Sequence, residues 1–342
     1  MTVAEKSIPA QAEIDAMPKL EMHVHLEGSI PPQLVEQMAR EQGESLPRPA
    51  EQLYVTDDLG AFLETLDWVC SLVRYPEQAR QLAINFGEYC ASQNIIYAEV
   101  IVNPTHWKGL DFRSLLAAIA EGFDTVAERG LCDLRLLPSI LRQQSTEEAM
   151  ELVRWMGSAM AVGLVNRIVG LSIDGNEAAA GRTADRFAEA YQLARDLGFG
   201  CTTHAGESSG ADGVVDALDV LGAQRLDHGV RAIDDPALVQ RLVHDNITLN
   251  VCLSSNCALM YDSIEQHPIR ELHQAGVPVT INTDDPVVLN TSLNQELGMA
   301  SRALQWNLNE LLQLQKNAVH AAFCDQQRKQ ELFNILDAYV GH

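Results

Sequence analysis

The hydrophobic positions of this chain fall into short runs that alternate with longer stretches of helical periodicity. The short, β-rich runs predict eight strands, at residues 19–25, 95–102, 134–140, 167–173, 200–204, 224–227, 247–252 and 277–283. The longer stretches predict helices at 76–93, 115–129, 147–163, 184–197, 211–221, 236–244 and 268–275. Several of the strands are almost continuously apolar, which is typical of a parallel sheet that helices cover.

Eight strands that alternate with helices favour a closed α/β architecture, the TIM (β/α)8 barrel, over an open sheet. Residues 30–74 are more than one crossover helix needs, so we predict a helical insertion after the first strand that covers the barrel mouth. Residues 292–342 show helical spacing and predict C-terminal helices outside the barrel. Since no linker or repeat interrupts the pattern, residues 1–342 are predicted to form a single domain.

The composition is that of an ordinary globular protein, with 46% hydrophobic and 21% charged residues in 342. A formal net charge of −23 argues against nucleic acid and anionic membranes as partners. The seven cysteines form no CxxC pair, and we find neither a signal peptide nor an apolar run of the ~20 residues that would span a bilayer. These features predict a cytoplasmic protein that acts on a small molecule.

Candidate metal ligands stand where the predicted strands end. His23 and His25 are two residues apart on the first strand, so their side chains share one face. His204 ends the fifth strand, and Asp284 follows the eighth. An isolated HxH pair is weak evidence, but barrel closure would bring all four side chains to one rim, where three histidines and a carboxylate suit one catalytic zinc per subunit.

Three further residues are candidates for catalysis beside that metal. Glu207 lies three residues after His204 and is free for proton transfer, whereas a solvated loop carboxylate is its plainer interpretation. His228 ends the sixth strand and would orient or deprotonate a water, although a hydrogen-bonded core histidine is the alternative. Asp285 would face the substrate while the metal neutralises Asp284; otherwise it caps a helix that starts at Pro286.

These stretches together resemble the adenosine deaminase family of the amidohydrolase superfamily. The matching segments are MHVHLEGS at 22–29, THAGE at 203–207, LDHG at 226–229, SSN at 254–256 and NTDDP at 282–286. The resemblance implies a mononuclear zinc barrel that hydrolyses the 6-amino group of a purine. The absence of any lysine between Lys108 and Lys316 disfavours the related two-metal sites, which use a carboxylated lysine after the fourth strand.

The resemblance also implies roles for individual residues. Glu207 would protonate ring N1, His228 would hold the attacking water and help remove its proton, and Asp285 would hydrogen-bond the attacking oxygen or ring N7. The backbone N–H of Gly175 would face purine N3. The candidate substrate-binding residues are therefore His25, Glu27, Gly175 and Asp285.

These residues leave the identity of the purine open between three alternatives. Gly175 and the long insertion favour a roomy mouth, so adenosine or deoxyadenosine, giving inosine and ammonia, is our first expectation. Glu27 stands where nucleoside deaminases commonly carry aspartate, which favours free adenine, giving hypoxanthine, as the alternative. A larger nucleoside such as aminodeoxyfutalosine is a third possibility. The competing classes are a hydrolase of amides or phosphoesters on the same barrel and a non-catalytic nucleoside-binding protein.

Overall fold

A computed structural model of the chain describes residues 7–55 and 59–340. Its strand segments, numbered β1 to β9, all pair in parallel with their neighbours. They are Lys19–His25, Ile95–Val102, Asp133–Leu141, Gly170–Asp174, Gly200–Cys201, His204–Ala205, Arg225–His228, Thr248–Val251 and Val279–Ile281. β1 to β5 form one hydrogen-bonded series and β6 to β9 another, and β5 and β6 follow one another along a single barrel strand. The predicted α/β barrel of eight strands is confirmed.

The barrel closes between its first and last strands. The backbone N–H of His25 donates to the carbonyl of Asp284 at 2.8 Å, and the N–H of Asp284 donates to the carbonyl of His23 at 3.2 Å. Val24 and Asp284 form the corresponding parallel bridge. Because β9 ends at Ile281, two residues earlier than expected from the sequence, this bridge holds the two edges together beyond the regular strand.

The predicted fifth strand, 200–204, is interrupted at Thr202 and Thr203. The hydroxyl of the buried Tyr191 donates to the carbonyl of Thr202 at 2.8 Å, so a side chain takes the place of the neighbouring strand at this point. His204 therefore begins the second segment, β6, rather than ending an unbroken strand. The two halves remain in line, since Thr202 still donates to Leu171 of β4 at 3.0 Å.

The helices, numbered α1 to α15, confirm all seven that the sequence predicts, to within a few residues at each end. They are Gln11–Ala16, Pro32–Glu41, Leu59–Ser71, Pro76–Ser92, Phe112–Glu128, Thr146–Ala161, Glu177–Ala180, Ala184–Asp196, Ala211–Asp219, Pro236–His244, Leu253–Leu259, Ile269–Gln274, Leu293–Leu304, Leu308–Ala321 and Gln326–Val340. Side-chain caps explain several starts: Asp111 begins α5, Ser145 begins α6 and Asp235 begins α10. Within residues 7–55 and 59–340, no helix is both long and apolar enough to cross a membrane.

The predicted insertion after the first strand contains α2 and α3, and its residues Tyr54, Val55, Leu63, Leu66 and Asp67 line the cavity at the barrel mouth. Residues 56–58 of this insertion lie outside the described chain. The predicted C-terminal helices are α13 to α15, and α14 packs against β1 and β9 from outside the barrel.

Opposite strands are tied across the far end of the barrel by a buried ion pair. Arg225 of β7 donates to Glu99 of β2 at 2.6 Å, and Glu99 also accepts from the backbone N–H of Phe323 at 2.6 Å. The Arg225 guanidinium lies 4.1 Å from the centre of the Phe323 ring, so that ring is held in place. It closes this end of the barrel against β5, where a Cβ added to Gly200 would meet a Phe323 ring carbon at 2.2 Å.

We therefore expect Gly200→Ala to destabilise the barrel by about 1–3 kcal/mol, because the new methyl group overpacks against the Phe323 ring. Chemical denaturation monitored by circular dichroism measures the loss. Gly210→Ala is the matched control, since nothing lies within 4 Å of its added Cβ. Equal unfolding midpoints for the two variants would contradict the packing at Gly200.

Candidate active site

The four predicted metal ligands converge at the carboxyl ends of the strands. His23 Nε2 lies 2.9 Å from Asp284 Oδ1, and His25 Nε2 lies 3.4 Å from the same oxygen. His204 Nε2 lies 3.1 Å from His25 Nε2. The structure therefore brings together side chains that are up to 261 residues apart in the chain.

His228, predicted as a catalytic residue, lies at the same point. One ligand atom from each of His23, His204, His228 and Asp284 lies within 4.8 Å of the others. His228 Nε2 is 3.9 Å from Asp284 Oδ2. Geometry alone thus offers two sets of four ligands, which differ only in whether His25 or His228 belongs to them.

The chemistry of this donor set fits a metal ion. Imidazole and carboxylate are suitable ligands for zinc, and a histidine must be neutral to bind one. Burial lowers the pKa of His25, and burial together with the charge of His23 lowers that of His204, so both rings favour the neutral form. Although burial opposes it, the charges of Asp227 and Asp284 raise the pKa of His23 to about 10, so a cation that binds this ring displaces a proton. Two facing imidazole nitrogens beside a carboxylate form the kind of buried cluster that a cation would stabilise.

Asp227, which lies in the LDHG segment at 226–229, is a site residue for which no role was predicted from sequence. Its Oδ1 lies 3.1 Å from His23 Nδ1 and its Oδ2 lies 3.7 Å from His204 Nδ1. Although burial opposes ionisation, His23 holds the pKa of the Asp227 carboxyl well below its usual range. The ionised carboxylate attracts a proton to Nδ1 of His23, whereas 3.7 Å to His204 Nδ1 is too long for a hydrogen bond and leaves only an electrostatic effect there. The Nε2 atoms of both rings face the cluster and would be the ones to bind a metal.

Glu207 lies beside this cluster on the loop after β6. Its side chain is 13% exposed, and its Oε1 lies 3.4 Å from His228 Nε2. Burial raises the pKa of Glu207, and the charges of Asp284 and Glu177 add to this rise although His228 opposes it. A carboxyl that keeps its proton closer to neutral pH is suited to act as a general acid.

Glu177 holds the Glu207 loop, which the sequence analysis did not foresee. Its Oε2 accepts from the backbone N–H of Glu207 at 2.9 Å and of Ser209 at 3.4 Å, and its Oε1 accepts from Gly206 at 3.2 Å. The Glu177 side chain is 5% exposed. An acidic residue at the start of the short α7, just past β4, was the available signal, but nothing in the sequence shows that it reaches the next loop.

The pKa values of the two adjacent aspartates are shifted in opposite directions. His23 holds the pKa of Asp284 well below its usual range against the effect of burial, whereas burial and the Asp284 charge raise that of Asp285. Opposite pKa shifts of this kind distinguish a carboxylate that stays charged and holds ligands, Asp284, from a carboxyl group that can carry a proton, Asp285. Asp284 and His228 also adopt left-handed backbone conformations, both with φ of 63°, which non-glycine residues rarely take outside functional sites.

A cavity of about 1170 Å³ opens above the cluster and contains the predicted substrate-binding residues His25, Glu27, Gly175 and Asp285 in its lining. Gly175 has φ of +95°, a conformation that favours glycine, and Asp285 packs so closely on Gly28 that a Cβ there would lie 1.8 Å from its Oδ1. Gly175 therefore lines the cavity itself, and the missing side chain at Gly28 leaves room for Asp285 to do so.

Glu27 is the most unusual residue of this lining. It is 1% exposed, and its Oε1 accepts from Trp107 Nε1 at 2.7 Å and from the backbone N–H of Asn103 at 2.8 Å. Its Oε2 has no hydrogen-bond partner among the described residues. Burial raises the pKa of Glu27 to about 7. It therefore forms part of the pocket wall.

Known sequences agree with this fold and site. The sequence model of the family described as adenosine deaminase matches residues 18–339. An adenine deaminase of Rhizobium leguminosarum bv. trifolii (strain WSM2304) is 36% identical over 318 residues, which cover 92% of this chain and 97% of that protein. An adenine deaminase of Vibrio parahaemolyticus is 32% identical over 337 residues, 96% of this chain and 98% of that protein.

Solved structures agree as well. Adenine deaminase from Arthrobacter aurescens superposes with a TM-score of 0.87 at 27% identity, covering 96% of this chain and all of that one. A zinc-bound amidohydrolase from Burkholderia ambifaria gives 0.83 at 27% identity, covering 100% and 97%. Arabidopsis ADAL in complex with GMP gives 0.83 at 28% identity, covering 95% and 98%.

A parallel barrel with a histidine and aspartate cluster at its carboxyl rim defines a metal-dependent hydrolase of the amidohydrolase type. This chain belongs to the adenosine deaminase family, whose members hydrolyse the exocyclic C–N bond of aminopurines.

We expect Asp284→Ala to weaken metal binding by more than about 100-fold, since losing a ligand costs more than losing an outer partner of one. Metal content after gel filtration, measured by mass spectrometry, tests this. Asp285→Asn is the control, because Asp285 is the adjacent residue and has the same side chain but is not in the ligand cluster. Full metal occupancy in Asp284→Ala would remove that residue from the ligand set.

Proposed function

We propose that this chain hydrolyses free adenine to hypoxanthine and ammonia, with one zinc ion per subunit held by His23, His25, His204 and Asp284. The adenine deaminases of Rhizobium and Vibrio, similar over almost their whole length, support this substrate over our first expectation of adenosine. The zinc-bound Burkholderia structure supports the metal. The Glu27 carboxyl carries the proposal from the side of this chain's own structure.

Glu27 offers a partner that free adenine alone can satisfy. Adenine carries an N–H at position 9, whereas every nucleoside or nucleotide carries a sugar there. With N9–H directed at the unpartnered Oε2, the buried carboxyl gains its missing hydrogen bond. A nucleoside would leave that oxygen unpaired, which costs about 1–3 kcal/mol or more for a charged group, and would press a ribose against it.

Nucleotides are disfavoured by the charges at the mouth. The Lys108 ammonium is engaged by Asp67, and Arg231 Nε donates to Asp234 at 2.6 Å. These are the lysine and the arginine of the cavity lining, so a phosphate would compete with carboxylates already in place. The nucleotide seen with Arabidopsis ADAL, and a larger 5′-modified nucleoside such as aminodeoxyfutalosine, therefore fit this cavity less well than the base.

Bound zinc supplies Lewis-acid activation of water near neutral pH. Glu207 in its protonated form donates to N1, which makes C6 more electrophilic. Asp285, with its raised pKa, donates to N7 and holds the ring against the cluster. Water oxygen bonds to C6 and the C6–amine bond breaks. One water proton leaves with the amine as ammonia and the other restores Glu207, so the product is the 6-oxopurine.

A cytoplasmic location is part of the proposal. All seven cysteines are free, and six of them are buried, which is typical of a reducing compartment. The net charge of −23 supports the absence of nucleic-acid and membrane partners.

Glu207→Gln tests the proposed chemistry. Glutamine keeps the shape of the side chain but has no acidic proton, so we expect kcat on adenine to fall by about 10²–10⁴-fold with zinc content unchanged. Ammonia release and metal analysis on the same sample measure both. Turnover at the wild-type rate would show that another group protonates the ring.

Glu27→Gln tests the proposed substrate. The amide would turn an N–H toward N9–H in place of an acceptor, so we expect kcat/KM for adenine to fall by about 10–100-fold, from the loss of a hydrogen bond to a charged group. Adenosine should be used poorly before and after the change. Glu147→Gln is the control, since its side chain is 80% exposed on α6. An unchanged value for adenine, or a wild-type preference for adenosine, would contradict the proposal.

A further inference from the structure

Two buried side chains stand in line behind His228, on the side away from the metal cluster. Asn256 Nδ2, on α11, lies 3.1 Å from His228 Nδ1, and His267 Nε2, just before α12, lies 3.1 Å from Asn256 Oδ1. The backbone nitrogen of Ile269 lies 3.1 Å from His267 Nδ1. Asn256 is 0% and His267 1% exposed, so water does not compete for these contacts. We call this series the Asn256–His267 chain.

The direction of the hydrogen bonds is set at the Ile269 end. A backbone N–H can only donate, so His267 Nδ1 must accept and cannot carry a proton. Burial lowers the pKa of His267 to about 4, so the ring is neutral and its proton is on Nε2. That N–H donates to Asn256 Oδ1, which fixes the orientation of the amide with its nitrogen toward His228.

The orientation of the Asn256 amide in turn fixes the tautomer of His228. An amide nitrogen can only donate, so His228 Nδ1 accepts from Asn256 and the ring proton is on Nε2. What surrounds Nε2 agrees with this: Glu207 Oε1 lies 3.4 Å away and Asp284 Oδ2 lies 3.9 Å away, and both are acceptors. An imidazolium form of His228 would point its Nδ1–H at another N–H.

We propose that Asn256 and His267 are positioning residues that hold His228 as the Nε2–H tautomer, so that His228 donates a hydrogen bond at the site and neither binds the metal nor accepts a proton through Nε2. This inference deepens the proposed function and rests on it for the identity of the oxygen that receives the bond, namely the water oxygen that attacks C6.

The metal-facing histidines show the opposite arrangement. His23 and His204 have the carboxylate of Asp227 on their Nδ1 side, at 3.1 Å and 3.7 Å, and their Nε2 atoms face the cluster, where a cation would bind them. His228 has a donor behind it, which leaves Nε2 with a proton. The Nε2–H tautomer of His228 therefore favours the ligand set that contains His25 over the one that contains His228.

The tautomer itself can be read by nitrogen NMR. Full-length, zinc-loaded protein labelled with ¹⁵N-histidine is recorded in long-range ¹H–¹⁵N correlation near neutral pH without substrate, and the His228 signals are assigned by their loss in His228→Gln. We expect a protonated Nε2 and an unprotonated Nδ1. A protonated Nδ1 in the wild type overturns the proposal. Since no substrate is present, this result is independent of whether adenine is turned over.

Asn256→Asp reverses the polarity of the chain without changing the side-chain shape. The carboxylate attracts a proton to His228 Nδ1, so we expect the NMR pattern to change, kcat on adenine to fall by about 10–100-fold and zinc content to persist. KM should stay within about twofold, because the bond to His228 matters in the reaction rather than in binding. The single variant His267→Gln, which can still donate to Asn256, should retain most of the wild-type behaviour.

The matched control is Asn307→Asp, which adds the same charge at the N-cap of α14, where aspartate caps as well as asparagine. It should leave the His228 signals and kcat as in the wild type. A folded Asn256→Asp variant with wild-type His228 signals would overturn the proposal, and so would a fall in kcat of equal size in the control.

Discussion

The contact between the first and the last strand of the barrel is the constraint on which the site depends. The backbone hydrogen bonds that join His23 and His25 to Asp284 set the positions of three side chains at once. The left-handed conformation of Asp284 turns its carboxylate toward the two imidazoles while Asp285 turns toward the cavity. A slip of one residue in this pairing would invert the faces of β1 and remove both histidines from the rim.

The acidic groups buried at this rim fall into two sets with opposite pKa shifts and different roles. Carboxyls that face histidine, Asp227 and Asp284, keep their charge and hold the cluster, whereas those that face the cavity, Glu207, Asp285 and Glu27, have raised pKa values. The first group orients ligands, and the second offers or shares protons with a polar purine ring. Residue types alone do not show this division, since it depends on which groups each carboxyl faces.

Much of this could be predicted from sequence because strand ends in a barrel share one rim. The strand–helix alternation and the positions of His23, His25, His204 and Asp284 at strand ends were sufficient to predict the fold and the convergence of these four side chains. The break at Thr202 was not predictable, since it depends on the Tyr191 hydroxyl arriving from α8. Asp227, Glu177, Asn256 and His267 act through hydrogen bonds whose partners and directions only the folded chain defines. From sequence, Gly175 favoured a nucleoside as the substrate and Glu27 favoured a free base. The burial of Glu27 with one unpartnered oxygen supports the free base.

The most direct test of the central claim, that the site recognises the N9–H edge of free adenine, compares adenine with 9-methyladenine. The added methyl group removes the hydrogen bond to Glu27 with far less bulk than a ribose. With the zinc-loaded wild-type enzyme, kcat/KM for adenine is predicted to exceed that for 9-methyladenine by about 100-fold or more, since a site built to bond a substrate N–H rejects the analogue that lacks it. Equal values for the two bases would contradict the account.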